Sequence, residues 1–290
     1  MKIGVCLPHY GAAMEAHRMR EFAQRVESLG FDSIWVTDHV IIPKALTIVY
    51  RERMLDPLAA LSYLAGVTDR LILGTSVIIL PYRNPITVAK EVASIDALSG
   101  GRVILGVASG WMEGEFRALN ADFKNRGAVS DEHLRVIREL WTNLEPEFHS
   151  EHFHLSDVVF SPQPVQRPHP PIWVGGRSRR AVRRAVELGD GWHPNGLGYD
   201  DLKEAVAYMN DLSRRAGRSA PPELSTRGSV EFDERSGAFL WGSGEAMTEA
   251  INRYEGLGMT HIAVSFADAP MNQVLEDLDR FAADVLPAVR

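Results

Sequence analysis

Two short stretches of this 290-residue sequence carry side chains whose types and order suit chemistry. Asp38-His39 sets a carboxylate beside an imidazole, the side chain whose ordinary titration lies nearest neutral pH, a pairing fit to hold or move a proton. A plainer reading stands beside it: Asp38 caps the following segment and His39 packs. In Trp173-Val174-Gly175-Gly176-Arg177-Ser178, two glycines let the backbone approach a ligand closely. The helix expected next aims its free N–H groups at the same place, which makes an anion site suited to phosphate. Arg177, Arg179, Arg180, Arg183 and Arg184 add positive charge there, and the competing reading is a tight turn into a solvated basic helix. His149, His152, His154 and His169 raise the question of a metal. They lack carboxylates in a ligand pattern, and the expectation is that no metal is bound.

The elements that must position these groups are legible as a rhythm. Short Val/Ile/Leu runs recur without polar alternation, as expected of parallel strands buried on both faces. They fall near 2–8, 33–37, 71–79, 102–107, 171–175, 191–194, 224–231 and 261–266. Segments of helical period lie between them, such as Leu134, Ile137, Trp141 and Leu144. Asp56-Pro57 and Asn84-Pro85 read as capped helix starts with proline at the first helical position. Leu29-Gly30, Leu188-Gly189 and Leu257-Gly258 read as helix ends at which glycine takes the left-handed conformation. Eight βα units predict an α/β fold, a (β/α)8 barrel, with an open doubly wound sheet as the alternative.

One domain is expected over 1–290, with a Pro- and His-rich excursion at about 146–171 that includes a hairpin-like stretch, Phe148 to Phe160. In a barrel, functional groups sit at the C-terminal ends of the strands. That rule selects His9 and Tyr10, Asp38 and His39, Ser76 to Arg83 with Val77, and Ser109 to Glu115 with Gly110. It also selects Gly175, Gly176, Arg177 and Ser178, then His193-Pro194-Asn195, and the region of Asp268.

Composition narrows the partners. With 31 basic and 38 acidic residues the net charge is −7, which argues against nucleic acid or an anionic membrane as the main partner. Hydrophobic residues make up 45% and charged residues 24%, ordinary for a globular protein. The single cysteine, Cys6, lies in an apolar run and reads as a small buried hydrophobe. Neither a membrane-spanning run nor a signal-peptide core is read, so a cytoplasmic location is expected.

Several motifs, taken in order, resemble one family. They are Gly30-Phe31-Asp32-Ser33-Ile34-Trp35-Val36-Thr37-Asp38-His39, Leu73-Gly74-Thr75-Ser76-Val77, Arg83-Asn84-Pro85, Leu98-Ser99-Gly100-Gly101-Arg102 and Gly106-Val107-Ala108-Ser109-Gly110-Trp111. Pro170-Pro171-Ile172-Trp173-Val174-Gly175-Gly176 and Gly189-Asp190-Gly191-Trp192 complete the set. Over most of residues 1–195 the chain is similar to the bacterial luciferase-like superfamily, specifically its deazaflavin (coenzyme F420)-dependent oxidoreductases.

The resemblance implies a hydride-transferring enzyme with coenzyme F420, or a monooxygenase with FMN, acting on a small-molecule substrate; a non-catalytic cofactor-binding protein is a further alternative. It implies that Asp38 and His39 lie beside the cofactor ring, that Ser76-Val77 is a bulge with a non-prolyl cis peptide behind it, and that Gly175 to Ser178 hold the phosphate. Ser109 and Gly110 join the cofactor-binding set, and the loops at 40–55 and 109–129 cover the site. The phosphate turn follows the fifth strand by count, whereas the commonest barrel phosphate site follows the seventh and eighth. Sugar-phosphate dehydrogenases of this group carry a glutamate after the fourth strand's glycines; Trp111 stands there, with Glu113 and Glu115 nearby. Dimerisation is common in the group, so a homodimer is expected.

Overall fold

The structure, a computed structural model, describes residues 1–8, 15–47, 54–233, 237–266 and 269–289. Eight strands form its centre: β1 (Lys2–Cys6), β2 (Ser33–Val36), β3 (Ile72–Thr75), β4 (Val103–Ala108), β5 (Ile172–Gly175), β6 (Gly191–His193), β7 (Glu223–Glu231) and β8 (Met259–Phe266). Each pairs in parallel with the next, and β8 pairs with β1, so the sheet closes into a barrel. The open-sheet alternative is excluded. Nine helices lie among the described residues: α1 (Ala16–Ser28), α2 (Pro57–Ala65), α3 (Pro85–Ser99), α4 (Glu113–Ala118), α5 (Arg126–Thr142), α6 (Arg179–Leu188), α7 (Tyr199–Arg215), α8 (Gly244–Glu255) and α9 (Met271–Asp284). No helix among the described residues is long and apolar enough to cross a membrane.

Side chains alternate along each strand, and the two faces differ in character. Ile34, Val36, Leu73, Leu105, Ile172, Val174, Ile262 and Val264 pack outward against the helices in the main apolar core. The bore is filled differently. Trp35 and Trp173 stack there with centroids 5.2 Å apart, and His193 stacks on Trp35 at 5.4 Å. Such bulk fits only because glycines face it: a Cβ on Gly74 would stand 2.2 Å from Trp35 Cε3, and one on Gly191 2.3 Å from Trp173 Cδ1.

Most polar groups in the bore satisfy one another, although the buried Trp173 indole N–H has no hydrogen-bond partner among the described residues. The Trp35 indole donates to Ser33 Oγ at 2.7 Å, and His261 Nε2 lies 2.7 Å from the same hydroxyl. His193 bridges Ser225 Oγ, 2.8 Å from Nδ1, and Ser76 Oγ, 2.9 Å from Nε2. Burial drives both histidines down to about 3, so they stay neutral. This packed plug is the floor of whatever binds at the mouth.

Local chemistry sets the helix ends. Asp56 accepts from Leu58 and Ala59, and Asn84 from Ile86 and Thr87, each ahead of the predicted proline. Gly30 and Gly258 are left-handed, at φ 87° and 88°. The expectation for Gly189 is corrected: its φ is −114°. Glycine is required there by space, because a Cβ would lie 3.0 Å from Val174 Cγ2 and 3.2 Å from the Ala185 carbonyl. Within the Pro-rich excursion, Phe148–His149 and His154–Leu155 pair antiparallel as a small hairpin.

Candidate active site

At the C-terminal mouth of the barrel lies a cavity of about 680 Å³, and the ten residues that the resemblance assigns to the cofactor line it. His9, Tyr10 and Asp268 lie outside the described residues. The four histidines suspected of binding metal do not converge: His152 pairs with Glu132 at 2.9 Å, His149 lies 3.7 Å from Glu147, and buried His169 faces Asp190 at 3.8 Å.

β2 delivers Asp38 and His39 to the mouth, and the structure gives the two different surroundings. Asp38 is held by a fork from Arg83, 2.5 and 2.8 Å long, and accepts the Ile79 amide at 2.9 Å. Burial pushes its carboxyl up, and the Arg83 fork with the Ile79 amide pulls it part of the way back. Arg83 also reaches Asp56 at 2.8 Å, and despite its burial the two carboxylates hold its proton more firmly. This cluster ties β2 to the segment after β3 and to the cap of α2.

His39 turns the other way. Its Nδ1 lies 2.9 Å from Glu115 Oε2, and the Glu115 side chain is wholly buried. Glu115 also accepts the Val40 amide at 2.6 Å, the Ile41 amide at 3.1 Å and the Tyr82 hydroxyl at 3.0 Å. Although burial works against it, the hydrogen bonds from His39, Ile41 and Val40 hold this carboxyl below its ordinary value. Burial, with Glu115 beside it, pushes the Tyr82 phenol up. A carboxylate held by four donors fixes the imidazole, leaving Nε2 as the ring nitrogen outside that contact.

The Ser76–Val77 peptide bond is cis. β3 breaks there and pairing with β4 resumes at Ile78–Ile79. Across the mouth, β5 ends at Gly175, Gly176 takes φ 99°, and Ser178 caps α6 by accepting the Ala181 amide at 3.2 Å. Lys124, Arg126, Arg177, Arg180, Arg184 and Arg227 line the cavity, whereas Asp38 is its one acidic lining residue among the described residues. Of those six cations only Arg184 forms an ion pair among the described residues, with Asp131. Ser109 Oγ is buried in the same wall without a hydrogen-bond partner among the described residues.

Sequence reasoning placed the α6 arginines at the site as a group, and the structure separates them. Arg177 and Arg180 face the cavity, Arg184 is taken up by Asp131 and the Gly127 carbonyl, and Arg179 lies over the Tyr208 ring at 5.1 Å. It missed Arg227, and it named no role for Glu115, Lys124 or Arg126 within the 109–129 loop. Glu115 stood in the nominated loop, but nothing in its spacing announced a partner 76 residues away.

Residues 1–238 match the luciferase-like monooxygenase family. A coenzyme F420-dependent glucose-6-phosphate dehydrogenase of Intrasporangium calvum is 28% identical, with 92% of each chain covered. Among solved structures, the monooxygenase RslO1 of Streptomyces bottropensis superposes with a TM-score of 0.84 at 20% identity over 100% of both chains. An F420-dependent secondary alcohol dehydrogenase, solved with an F420–acetone adduct, gives 0.84 at 20% over 100% of this chain and 99% of that one. At such identity the structural likenesses speak for the fold, and the match over residues 1–238 speaks for kinship. This chain belongs to the luciferase-like monooxygenase family.

Proposed function

We propose that this family member transfers a hydride between the deazaflavin coenzyme F420 and a small organic substrate. The observation that carries this reading is the charge of the cavity wall. In a chain of net charge −7, Lys124, Arg126, Arg177 and Arg180, four cations without an ion pair among the described residues, line one pocket with the Gly175–Ser178 turn. That wall fits a ligand with a phosphate and further negative charge along its tail. The unpartnered Ser109 hydroxyl and the open mouth above a packed bore fit its polar-edged ring. The F420-dependent relatives lend support.

When bound, the deazaflavin supplies a ring carbon that gives or takes a hydride. The chain's own residues would do the rest. Gly175, Gly176, Arg177 and Ser178 would hold the phosphate, with Arg180, Lys124 and Arg126 facing the remaining tail charge. Ser76 and Val77 would wall the ring's rear, and Ser109 with Gly110 its edge. His39 would carry the accompanying proton at Nε2, oriented by Glu115, while Asp38 would anchor Arg83 and the segment after β3. Catalysis would then be chiefly positioning.

A second reading keeps the site and exchanges the cofactor for FMN, making the chain a monooxygenase; membership of a monooxygenase family favours it. Turnover separates the two. The proposal expects deazaflavin absorbance to change anaerobically with an acceptor or donor panel, and no oxygenated product from that panel with reduced FMN and oxygen. Protein-dependent oxygenation of a panel member with reduced FMN, and no deazaflavin turnover, would overturn it. Tight binding of F420 with no turnover on any partner would instead mark a cofactor-binding protein.

A further inference from the structure

We propose that the substrate is a small organic oxyanion with an apolar body, and that Arg227 is the residue that recognises its head group. The placement beside the ring rests on the cofactor reading above; the anion selectivity rests on the geometry alone.

Arg227 sits on β7, two residues beyond Ser225, which faces the bore, so its side chain points into the barrel mouth rather than towards α6. Its Nη1 reaches across to the Ser76 carbonyl at 3.4 Å, too long to satisfy a guanidinium. No carboxylate among the described residues lies within ion-pair distance of it. A half-buried arginine of this kind has donors to spare and a desolvation cost that an anion would offset. Its charge is felt in the plug below, where it adds to burial in holding His193 neutral.

Arg227 also stands where the main cavity meets a second one of about 490 Å³, with Asn195 and Gly196 shared between the two. The second cavity has aromatic walls. Phe239 and Tyr254 stack at 4.7 Å, Tyr199 meets Tyr254 edge-on at 5.7 Å, and Trp241 is 44% exposed at its side. Its other charged lining residue is Arg253, over the Tyr199 ring at 4.4 Å; no acidic residue lines it among the described residues. The volume and the aromatic rings in its wall suit a small body with an apolar face, while the rest of the lining is polar. The guanidinium at the junction suits a planar carboxylate, held by two parallel bonds. The rim turn already offers the cofactor's tail its own cations, so Arg227 is left for the other reactant.

The test uses 4-phenylbutyrate and its neutral primary amide as probes, titrated calorimetrically into the full-length protein, with F420 and FMN titrated separately. Wild type should bind the carboxylate at least ~10-fold more tightly than the amide, the scale of a hydrogen bond to a charged group. Arg227→Met should erase that preference while changing cofactor affinity less than about 3-fold, and Arg227→Lys should keep part of it. Arg177→Ala should do the reverse, weakening the cofactor and sparing the preference. Equal binding of acid and amide by wild type would overturn the proposal. So would loss of the preference in Arg177→Ala rather than Arg227→Met, or a large loss of cofactor affinity in Arg227→Met. If neither cofactor binds wild type while Arg227 still selects the carboxylate, the cofactor reading fails and the anion site stands.

Discussion

At the scale of single residues, Asp38 and His39 are neighbours in sequence with opposite assignments in space. Asp38 spends its oxygens on Arg83 and Ile79, and His39 is gripped at Nδ1 by Glu115. The account therefore expects His39→Ala to lower turnover roughly 10²-fold, the usual worth of a positioned proton carrier. Glu115→Gln should lower it by a similar factor, because an amide cannot serve four donors and the ring loses its fixed orientation. Both variants should bind cofactor about as well as wild type in a spectral titration; unchanged turnover in either would remove His39 from the proton path or Glu115 from its support. The Asp38-His39 pair was legible because contiguous residues announce themselves. The Glu115 contact was not: its partner is 76 residues distant, and only the side-by-side pairing of β2, β3 and β4 brings the end of β2 near α4.

Among elements, the β5–α6 junction shows what composition can and cannot reveal. Gly-Gly followed by arginines was readable as an anion turn, and the capping role of Ser178 follows from its place ahead of the helix. Which arginines face inward was unreadable, since helical phase relative to the barrel decides it. Likewise Gly189 looked like the other Leu-Gly ends, yet it is a glycine of close packing, a distinction that resides in the partner atoms of Val174 and Ala185. Gly176 is the sharper case. At φ 99°, and with a Cβ placed 3.2 Å from that of Ala181, Gly176→Ala should cost on the order of 1–2 kcal/mol in urea unfolding and displace the N–H groups of the turn. Cofactor affinity should fall with it; a variant as stable and as tight-binding as wild type would show that the turn is not fixed by this backbone conformation.

For the molecule as a whole, missing alternation pointed to parallel strands buried on both faces, a trait the open doubly wound sheet shares, and the count of eight βα units favoured the closed barrel. The content of the bore was beyond the sequence: two tryptophans, two histidines and the glycines facing them converge from β1, β2, β3, β5, β6 and β8. That plug has a consequence for pH. His193 and His261 are lowered from 6.5 to about 3 by burial, so the unfolded chain binds more protons than the folded one between those values. Stability supported by each histidine is intact above 6.5 and drains as pH falls towards 3. Urea denaturation at pH 5 against pH 7 should show a loss on the order of 2 kcal/mol per histidine, and His261→Gln should flatten the slope. A pH-independent midpoint would contradict the neutral plug. The central claim, that the basic wall receives the charged tail of a deazaflavin, is tested most directly by titrating F420 and FMN into wild type and an Arg177→Ala/Arg180→Ala variant, followed spectrally at low and high salt. The account predicts at least ~10-fold tighter binding of F420 than FMN at low salt, with the gap collapsing in the variant and shrinking in salt. FMN binding more tightly than F420, or an F420 affinity indifferent to both arginines and salt, would contradict it.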